Sequence, residues 1–318
     1  MSLAPDVLEA ATQVGRRLVA NLERVILGKT EVLELVTIGL LSEGHVLLED
    51  VPGVGKTTLA RALARSLSLE FRRVQFTPDL MPADIVGASV LRPRDGSFEF
   101  QPGPVFTQVL LADEINRASP RTQSALLEAM SEGQVTTDGE TRPLPRPFFT
   151  LATQNPVESQ GTYPLPEAQL DRFLVRLRLG YPDAEQELSM LYGHRDTHPL
   201  ESLKPVADAA MLRAAQAAVR AVEVSPGLGR YVVELARATR AHPEVALGAS
   251  PRGALALFRA AQAHALLDAR GWVRPEDVQA VAVPALAHRL EVRAQARWAG
   301  RSSNTLVEEL VRRLPVPT

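Results

Sequence analysis

Short apolar runs alternate with amphipathic segments over the first two hundred residues of this chain. Apolar residues recur at helical spacing from Leu8 to Leu22, and a second helix is predicted from Gly28 to about Leu41. Five apolar runs predict strands: His45–Glu49, Arg72–Gln75, Val109–Asp113, Phe148–Thr153 and Phe173–Leu177. Runs this short are typical of strands buried on both faces. The alternation of helix and strand predicts an α/β fold with a parallel sheet.

Two Asp-Gly pairs interrupt this alternation. Asp95-Gly96 and Asp138-Gly139 each lie between extended stretches, and this dipeptide is typical of a hairpin turn. Neither hairpin is needed to build the predicted sheet. We therefore expect both to be insertions into it.

The pattern changes after Tyr181-Pro182-Asp183. A helix is predicted over Ala184–Gly193, followed by a polar, proline-bearing linker at about 197–205. From Val206 onward the sequence is rich in alanine and has helical periodicity, with breaks at Ser-Pro, His-Pro and Arg-Pro pairs. We predict an α/β domain over residues 1–181 and a smaller all-α domain over residues 182–318.

The composition narrows the class of protein. The chain's 318 residues leave room for two domains, and 45% of them are hydrophobic, enough for a buried core. Acidic residues number 37 and basic residues 35, so the net charge of −2 gives no support for non-specific nucleic-acid binding. The absence of cysteine excludes disulfides and thiolate metal sites. The N-terminus has no signal-peptide pattern and no apolar run has the length of a membrane span, so we expect a soluble cytoplasmic protein.

The most informative motif follows the first predicted strand and runs from Asp50 to Thr57. A strand, a tight glycine loop and a helix in this order form a cradle in which backbone N–H groups and the helix dipole face a phosphate. Lys56 supplies a mobile charge for the outer phosphates, and the Thr57 hydroxyl is placed to bind Mg²⁺. Asp50 stands where the full pattern has glycine. Its side chain can point away from the phosphates at the strand end, although a carboxylate there could weaken nucleotide binding.

A pair of carboxylates ends the strand predicted over Val109–Asp113. Asp113 is expected to hold Mg²⁺ through its water ligands, and Glu114 is expected to polarise a water for attack on the γ-phosphate. On their own, these residues also fit an acidic strand end before a helix. Their position downstream of the glycine loop favours the catalytic interpretation.

Three further residues have both a catalytic and an ordinary interpretation. Asn155 follows another apolar strand and either contacts the attacking water or γ-phosphate, or forms a plain Asn-Pro turn. Arg172 precedes the last strand, either as a surface ion-pair partner or as a group that reaches the phosphates of a neighbouring subunit. Arg252 follows Ser250 and Pro251, which suit a helix N-terminus. Because the helix dipole disfavours a cation there, a bound anion would explain Arg252.

The order of these motifs resembles that of the AAA+ ATPases, and their details resemble the MoxR family of the helix-2-insert branch. The stretches that carry the resemblance are Glu49-Asp50-Val51-Pro52-Gly53-Val54-Gly55-Lys56-Thr57-Thr58, Asp113-Glu114-Ile115-Asn116-Arg117-Ala118, Ala152-Thr153-Gln154-Asn155-Pro156, Gly161 to Phe173 and Ser250-Pro251-Arg252-Gly253. The resemblance covers almost the whole chain. It implies an AAA+ P-loop NTPase fold, in which a parallel sheet flanked by helices is followed by a smaller all-α lid domain.

The resemblance also implies roles for individual residues. The catalytic residues would be Lys56, Glu114, Asn155 as sensor 1 and Arg172 as a finger supplied to a neighbour. ATP would be held by Gly28, Pro52, Gly53, Val54, Gly55, Lys56, Thr57, Thr58 and Arg252, and Mg²⁺ by Thr57 and, partly through water, by Asp113. Arg252 would act as sensor 2 within its own chain. Whether Arg117 or Arg172 is the dominant finger stays open.

The activity implied by the resemblance is ATP hydrolysis, with ATP and Mg²⁺ as cofactors, in a hexameric ring of identical subunits. The two hairpins would line the pore of the ring and act on protein clients, with a von Willebrand A domain protein as partner. Chaperone-like remodelling is therefore the first hypothesis. One alternative is a DNA-acting motor or loader, for which Arg92 and Arg94 would form a local basic ring. The other is a chelatase-like subunit that drives metal insertion.

Overall fold

The computed structural model describes residues 3–94, 96–156, 161–193 and 199–317. Its strands are β1 Val46–Glu49, β2 Phe71–Gln75, β3 Gly87–Leu91, β4 Phe98–Pro102, β5 Val109–Asp113, β6 Gln134–Thr137, β7 Glu140–Pro143, β8 Phe149–Gln154, β9 Val175–Leu177, β10 Val245–Leu247 and β11 Glu291–Val292. Its α-helices are α1 Pro5–Glu23, α2 Thr30–Leu41, α3 Lys56–Ser66, α4 Pro82–Val86, α5 Pro120–Glu132, α6 Glu167–Leu170, α7 Ala184–Gly193, α8 Pro199–Ser202, α9 Ala209–Ala221, α10 Pro226–Ala241, α11 Pro251–Leu267, α12 Pro275–Leu286, α13 Ala294–Trp298 and α14 Ser303–Arg313. Among the described residues, no helix is long and apolar enough to cross a bilayer.

One five-stranded sheet organises the first part of the chain. Its strand order is β2-β5-β8-β1-β9, and every neighbouring pair is parallel. All five strands therefore begin at one edge of the sheet and end at the other. We call the edge where they end the loop edge, because β1 leads there into the glycine loop, and the edge where they begin the far edge. This orientation decides which of the predicted site residues can meet.

Alternate side chains of the strands face two different cores. In β5, Val109 and Leu111 join a larger core with α1, α2, α3 and the helices of the second region, whereas Leu110 and Ala112 join a smaller core with α4 and α5. All four side chains are fully buried. Both faces of the strand are covered, which explains its continuous apolar run.

The parallel α/β sheet is confirmed, and several predicted bounds agree with the structure. The strand at Val109–Asp113 has the predicted limits. The second helix begins at Thr30, because Gly28 has a left-handed φ of 67° and ends the preceding turn. The Ser-Pro pairs of the second region mark helix starts: the serine hydroxyls at 225 and 250 each accept an N–H from the first turn of the helix that follows. Ser119, which was not predicted, caps α5 in the same way.

Two predictions about the fold need correction. The last strand of the sheet, predicted from Phe173, starts at Val175, because the Phe173 carbonyl accepts a hydrogen bond from Arg289 instead of joining the ladder. The second region, predicted as all-α, also contains a short antiparallel sheet of β10 and β11. α10 ends at Ala241, just before Pro243, and β10 begins at Val245. Proline disfavours a helix that continues through it.

Both predicted hairpins are present outside the five-stranded sheet. β3 pairs with β4, and β6 with β7, as separate antiparallel ribbons. Asp138 and Gly139 at the second tip have positive φ values of 54° and 78°, which is the two-residue turn that this pair favours. At the first tip Gly96 has a φ of 69°, while Asp95 lies outside the described residues. The ribbons touch each other where Ser89 Oγ donates to Asp138 Oδ2 at 2.5 Å.

The regions on either side of residue 181 share the larger core. Thr12 Oγ1 donates to Leu266 O at 2.8 Å, and Gln216 Nε2 donates to Leu40 O at 2.9 Å, both in buried positions. The core itself takes residues from α1 and α2 as well as from α9 to α14. The predicted domain boundary stays a prediction, and residues 197–198 of the predicted linker lie outside the described part of the chain.

A buried ion pair fixes the start of α12 against α11. The Asp277 side chain is 1% exposed, and Arg270 donates to both of its oxygens at 2.6 Å. His264 Nδ1 lies 2.7 Å from one oxygen, and the Arg274 backbone N–H donates to the other at 2.6 Å. Burial raises the pKa of the Asp277 carboxyl, but the hydrogen bonds from Arg270, His264 and Arg274 outweigh it, and the pKa falls to about 2.

We expect Asp277→Ala to lower the free energy of unfolding by about 3 kcal/mol, because it leaves the partly buried Arg270 guanidinium without its buried carboxylate. Since the pKa of Asp277 is lowered in the folded protein, its stabilisation is present above the ordinary value of 3.8 and is lost as the pH falls toward 2. Urea unfolding followed by circular dichroism at pH 7 and pH 3 measures both effects.

Asp268→Ala is the matched control for this prediction. Asp268 also binds Arg270, at 2.9 Å, but its side chain is 58% exposed. An exposed ion pair contributes less than about 1 kcal/mol. Equal losses of stability in the two variants would show that the burial of Asp277 does not set the strength of its ion pair.

Candidate nucleotide site

Three adjacent strands bring the predicted site residues together at the loop edge. β1 leads into the glycine loop and α3, β5 ends at Asp113 with Glu114 after it, and β8 leads to Asn155. β8 lies between β5 and β1 in the sheet, so the three strand ends are neighbours. Lys56, Asp113 and Asn155 are each less than a tenth exposed. The sheet order thus gathers residues that are far apart in the sequence.

The glycine loop has the backbone of an anion cradle. Gly53 and Gly55 have left-handed φ values of 87° and 95°, which glycine adopts without strain. A Cβ added at Gly53 would meet no atom within 4 Å, so the space in front of the loop is open. The N–H groups of Gly53, Val54 and Gly55 donate to no described residue. These amides stand at the start of α3 and fit phosphate oxygens.

Lys56 is held inside its own loop. Its Nζ donates to the carbonyls of Asp50 and Val51 at 2.8 and 3.0 Å. Burial lowers the pKa of Lys56, while the negative charges of Asp50, Asp113 and Glu114 oppose the shift. Its two acceptors are neutral, and a phosphate would offer a charged acceptor in their place. The environment of Lys56 therefore fits the predicted task.

Asp50 turns its carboxylate toward the end of β9. The residue is 7% exposed, and its Oδ2 accepts the backbone N–H groups of Leu179 and Gly180 at 2.5 and 2.8 Å. Its Oδ1 accepts the N–H of Val51 at 3.2 Å. The first of the two sequence-based possibilities is the one observed: this side chain points away from the open side of the loop.

Asp113 is paired with a cation and a hydroxyl. Arg73 donates to Oδ2 from Nη2 at 2.6 Å and from Nε at 3.1 Å, and Thr153 Oγ1 donates to Oδ1 at 2.6 Å. Arg73 lies on β2 and Thr153 on β8, the two strands that flank β5. Neither residue was predicted, because their proximity to Asp113 depends on strand order and not on spacing in the sequence.

Glu114 is held by two side chains. It adopts a left-handed backbone with a φ of 58°, and its N–H donates to Thr153 Oγ1 at 2.8 Å. Gln75 Nε2 donates to its Oε2 at 2.6 Å, and Arg117 Nη1 lies 3.2 Å from the same oxygen. The left-handed turn separates the direction of Glu114 from that of Asp113. Two adjacent carboxylates thus take two different environments.

Mg²⁺ is the metal that these motifs imply. It prefers oxygen ligands, and Thr57 in the first turn of α3 and Asp113 at the end of β5 offer a hydroxyl and a carboxylate. The Arg73 guanidinium on Asp113 shows that this carboxylate compensates a positive charge in the folded protein. The residues present therefore fit Mg²⁺. When bound, the ion would neutralise charge on the transferred phosphoryl group.

Gly28, which the resemblance places among the ATP-binding residues, on the side of the adenine, is covered by Gln186. A Cβ at position 28 would come within 1.8 Å of Gln186 Nε2, so the Gln186 side chain would have to move, and the left-handed φ of 67° also favours glycine here. Gln186 is in the first turn of α7, where its N–H donates to Asp183 Oδ1 at 2.8 Å and its Oε1 accepts from the Asp183 N–H at 3.1 Å. The role of Gly28 stays a prediction, and Gln186 is a neighbour that sequence reasoning missed.

Arg172 lies at the far edge, just before β9. Its Nη1 donates to Leu127 O at 2.5 Å and to Ser131 Oγ at 3.1 Å, near the C-terminal end of α5. The four residues of β1 separate the two edges by about 13 Å. Arg172 is thus remote from the loop of its own chain, which agrees with a role at a neighbour's site. Arg117 lies instead at the loop edge, paired with Glu114.

Arg252 also lies at the far edge, and this placement conflicts with its predicted role within its own chain. Ser250 caps α11 and its Oγ donates to Asp171 Oδ2 at 2.8 Å, which ties the helix start to the residue beside Arg172. Arg252 is exposed there. The start of α11 was predicted correctly, but the sequence could not show at which edge of the sheet it docks. This exposed position suits a contact with a second copy of the chain better than one with the loop of its own chain.

A buried guanidinium holds this arrangement together. Arg289 is 4% exposed and donates to the Asp171 carboxylate at 2.7 Å and to the carbonyls of Asp171, Phe173 and Leu174 at 3.0, 2.6 and 3.1 Å. It also donates to Ala285 O, one turn back along the chain. Burial lowers the pKa of Arg289, and the charge of Asp171 opposes the shift. Arg172 and Arg252 are thus presented by one connected unit.

Comparisons with known proteins agree with this geometry. Residues 45–175 match the model of the ATPase family associated with various cellular activities (AAA), and residues 237–310 match that of the AAA lid domain. The uncharacterized protein YeaC of Bacillus subtilis (strain 168) is 50% identical over 94% of this chain and 93% of its own length. Chaperone MoxR1 of Mycobacterium tuberculosis is 41% identical over 98% of this chain and 84% of its own length.

A solved structure shows the same architecture. The crystal structure of a protein from Cytophaga hutchinsonii that was assigned as an ATPase superposes with a TM-score of 0.90 at 36% identity, over 98% of both chains. The matches extend over the sheet, the glycine loop and the helical region that carries Arg252. The chain therefore belongs to the MoxR family of AAA+ ATPases.

Proposed function

We propose that this protein hydrolyses ATP to ADP and phosphate at the loop edge of its sheet. The observation that carries the proposal is the convergence there of an open glycine loop, the buried Lys56 and the carboxylates of Asp113 and Glu114. Phosphoryl transfer requires positioning and charge neutralisation more than covalent chemistry. The side chains gathered at this edge supply both.

Each residue at the loop edge has a proposed task. Lys56 exchanges its two carbonyl partners for the outer phosphates, and the loop amides orient them. Glu114 accepts a proton from the attacking water, which Asn155 helps to position. To do so, Glu114 has to leave Gln75 and Arg117. The base is therefore held away from its task until the site rearranges.

The missing positive charge is proposed to come from a second copy of the chain. Arg172 and Arg252 share the far edge, where they cannot serve their own loop. An arginine finger increases the rate of phosphoryl transfer by ~10³ or more. We propose that identical subunits assemble into a ring, a hexamer in our hypothesis, in which the far edge of one faces the loop edge of the next.

Protein clients are proposed to bind at the two hairpins. The ribbons β3–β4 and β6–β7 lie against each other, and Arg142 stacks over Phe100 at 3.9 Å between them. Phe98 is 71% exposed and Leu91 is 51% exposed on the first ribbon. Exposed apolar groups of this kind suit contact with another protein. We propose chaperone-like remodelling, since the Mycobacterium tuberculosis relative is named a chaperone. We further propose a von Willebrand A domain protein as a partner.

Glu114→Gln is expected to bind ATP like the wild type and to lose at least about a hundredfold in turnover, because the amide cannot accept the proton of the attacking water. Glu9→Gln, the same change on the exposed face of α1, is the control and should leave turnover unchanged. Phosphate release and ATP binding by calorimetry measure the two properties. Normal hydrolysis by the Glu114 variant would refute the proposed mechanism.

Arg172→Ala and Lys56→Ala should each be inactive alone and recover turnover when mixed. The first variant keeps an intact loop and lacks the finger, and the second keeps the finger and lacks a working loop. A site completed by both subunits then forms at some interfaces. Phosphate release is measured over a range of mixing ratios. The absence of recovery at every ratio would exclude Arg172 as a finger supplied to a neighbour.

The same mixing experiment tests the position of Arg252. Because Arg252 lies at the far edge, Arg252→Ala should also recover turnover on mixing with Lys56→Ala. Recovery with the Arg172 variant but not with the Arg252 variant would show that Arg252 acts within its own chain, against its observed position at the far edge.

The client is tested with the Glu114→Gln variant as a trap. In the presence of ATP it should retain a protein partner that the Phe98→Ser variant of the same trap loses, because the exposed ring is removed from the hairpin. Turnover is measured in parallel with added DNA at low and high salt. A salt-sensitive stimulation by DNA would favour the DNA-acting alternative.

A further inference from the structure

Asp50 occupies the position at which the phosphate-loop pattern has glycine, and its carboxylate has a defined set of partners. Three backbone N–H groups donate to it, from Val51, Leu179 and Gly180. Its own carbonyl accepts from Lys56 at 2.8 Å. One residue thus joins the lysine of the loop to the backbone that follows β9.

The segment of residues 179–181 is held from a second side as well. Lys29 Nζ donates to Tyr181 O at 2.8 Å, and Lys29 precedes α2 directly after Gly28. Two successive N–H groups, those of Leu179 and Gly180, point at one carboxylate oxygen, and the left-handed φ of 66° at Gly180 turns the chain directly after them. We call residues 179–181, with their bonds to Asp50 and Lys29, the latch.

The latch leads directly to the side chain that covers Gly28. Two residues beyond it, Asp183 caps α7, and Gln186 of that helix lies over Gly28. A continuous path therefore runs from the phosphate loop, which Asp50 opens, through the latch to Gln186. The two ends of the path are the two ends of the proposed nucleotide site, where phosphate and base would bind.

We propose that Asp50 is a positioning residue that couples the phosphate loop to α7 through the latch. The inference rests on the proposed function, since it assigns a task within the same nucleotide site. The negative charge does not face the phosphates. It holds the backbone after β9 so that loop and α7 keep one relative position. Nucleotide binding then depends on a side chain that touches neither phosphate nor base.

This proposal makes a prediction opposite to that of the consensus pattern. Asp50→Gly restores the usual glycine and removes a negative charge near the phosphates, so repulsion alone predicts tighter binding. The latch predicts weaker binding, because the buried N–H of Leu179 and the partly buried N–H of Gly180 lose their acceptor. We expect the Kd for ADP with Mg²⁺, measured by calorimetry, to rise at least about tenfold. A Kd equal to or lower than that of the wild type would overturn the proposal.

Two further variants separate hydrogen bonding from charge and from folding. Asp50→Asn keeps one oxygen that accepts from Leu179 and Gly180, so its Kd should lie between those of the wild type and the glycine variant. Lys29→Met breaks the latch from its exposed side without altering the loop, and should raise the Kd by about two- to fivefold. If Asp50→Gly fails to fold, these two variants decide the question. Unchanged binding in both would overturn the proposal.

Arg178→Ala is the matched control. Arg178 lies one residue before the latch, is 70% exposed and pairs only with Glu49 among the described residues at 2.6 Å. Its removal should leave the Kd for ADP unchanged. If Arg178→Ala raised the Kd for ADP as much as Lys29→Met does, any change in the segment after β9 would weaken binding. That result would contradict the path through Asp50.

Hydrogen exchange of the backbone amides provides a readout that affinity alone does not. In the wild type, the amides of Leu179 and Gly180 should exchange slowly, and in Asp50→Gly they should exchange fast while Leu111 in the buried strand β5 stays protected. Protection of both amides in the variant would overturn the proposal. If the wild type itself binds no ADP, the proposed function is wrong. If the wild type binds ADP and Asp50→Gly binds it equally well, only the role of the latch is wrong.

Discussion

The parallel orientation of the five strands is the constraint on which the rest of this structure depends. Because every strand ends at the same edge, the loop after β1, the carboxylates after β5 and Asn155 after β8 meet there without any specific contact to draw them together. The same orientation sends Arg172 and Arg252 to the opposite edge, about 13 Å away along the strands. In the proposed function, one chain therefore carries the two halves of a site at opposite edges of its sheet. A ring of identical copies, in which each far edge meets the next loop edge, is the simplest arrangement that unites them.

Buried polar groups fasten the helical region to the sheet at the far edge, and the segment that leads into this region at the loop edge. At the loop edge, Asp50 accepts the N–H groups of the segment after β9. At the far edge, Arg289 donates to Asp171 and to the backbone around Phe173, and Asp171 also receives the Ser250 hydroxyl. A buried charge is tolerated when its hydrogen-bonding capacity is fully used, and breaking such a set is more costly than breaking an exposed pair. These contacts therefore favour motion of the loop and the arginines as one unit over independent motion of each.

Elements whose limits depend on local sequence were predictable. The positions of elements relative to one another in the folded protein were not. β5 was predicted with its observed limits because both of its faces are buried, so its apolar run has no polar interruption. The helix start at Pro251 followed from a serine cap and a proline. The location of that helix did not follow, since nothing in the spacing shows which edge of the sheet it reaches. Arg73, which pairs with Asp113, was missed for the same reason: their contact is set by the order of β2 and β5 in the sheet.

The charged groups of the site already satisfy one another inside the protein, and this determines how nucleotide can bind. Arg73 neutralises Asp113, Gln75 and Arg117 hold Glu114, and Lys56 is bound to two carbonyls of its own loop. A buried ionisable group without partners would be costly, so these pairings stabilise the protein in the absence of phosphate. Binding is then an exchange of partners and not the filling of an unpaired site. Its free energy is the difference between two satisfied arrangements, which makes it sensitive to the backbone that positions them. A residue such as Asp50, which fixes that backbone from behind, can therefore affect binding as strongly as one that touches the ligand.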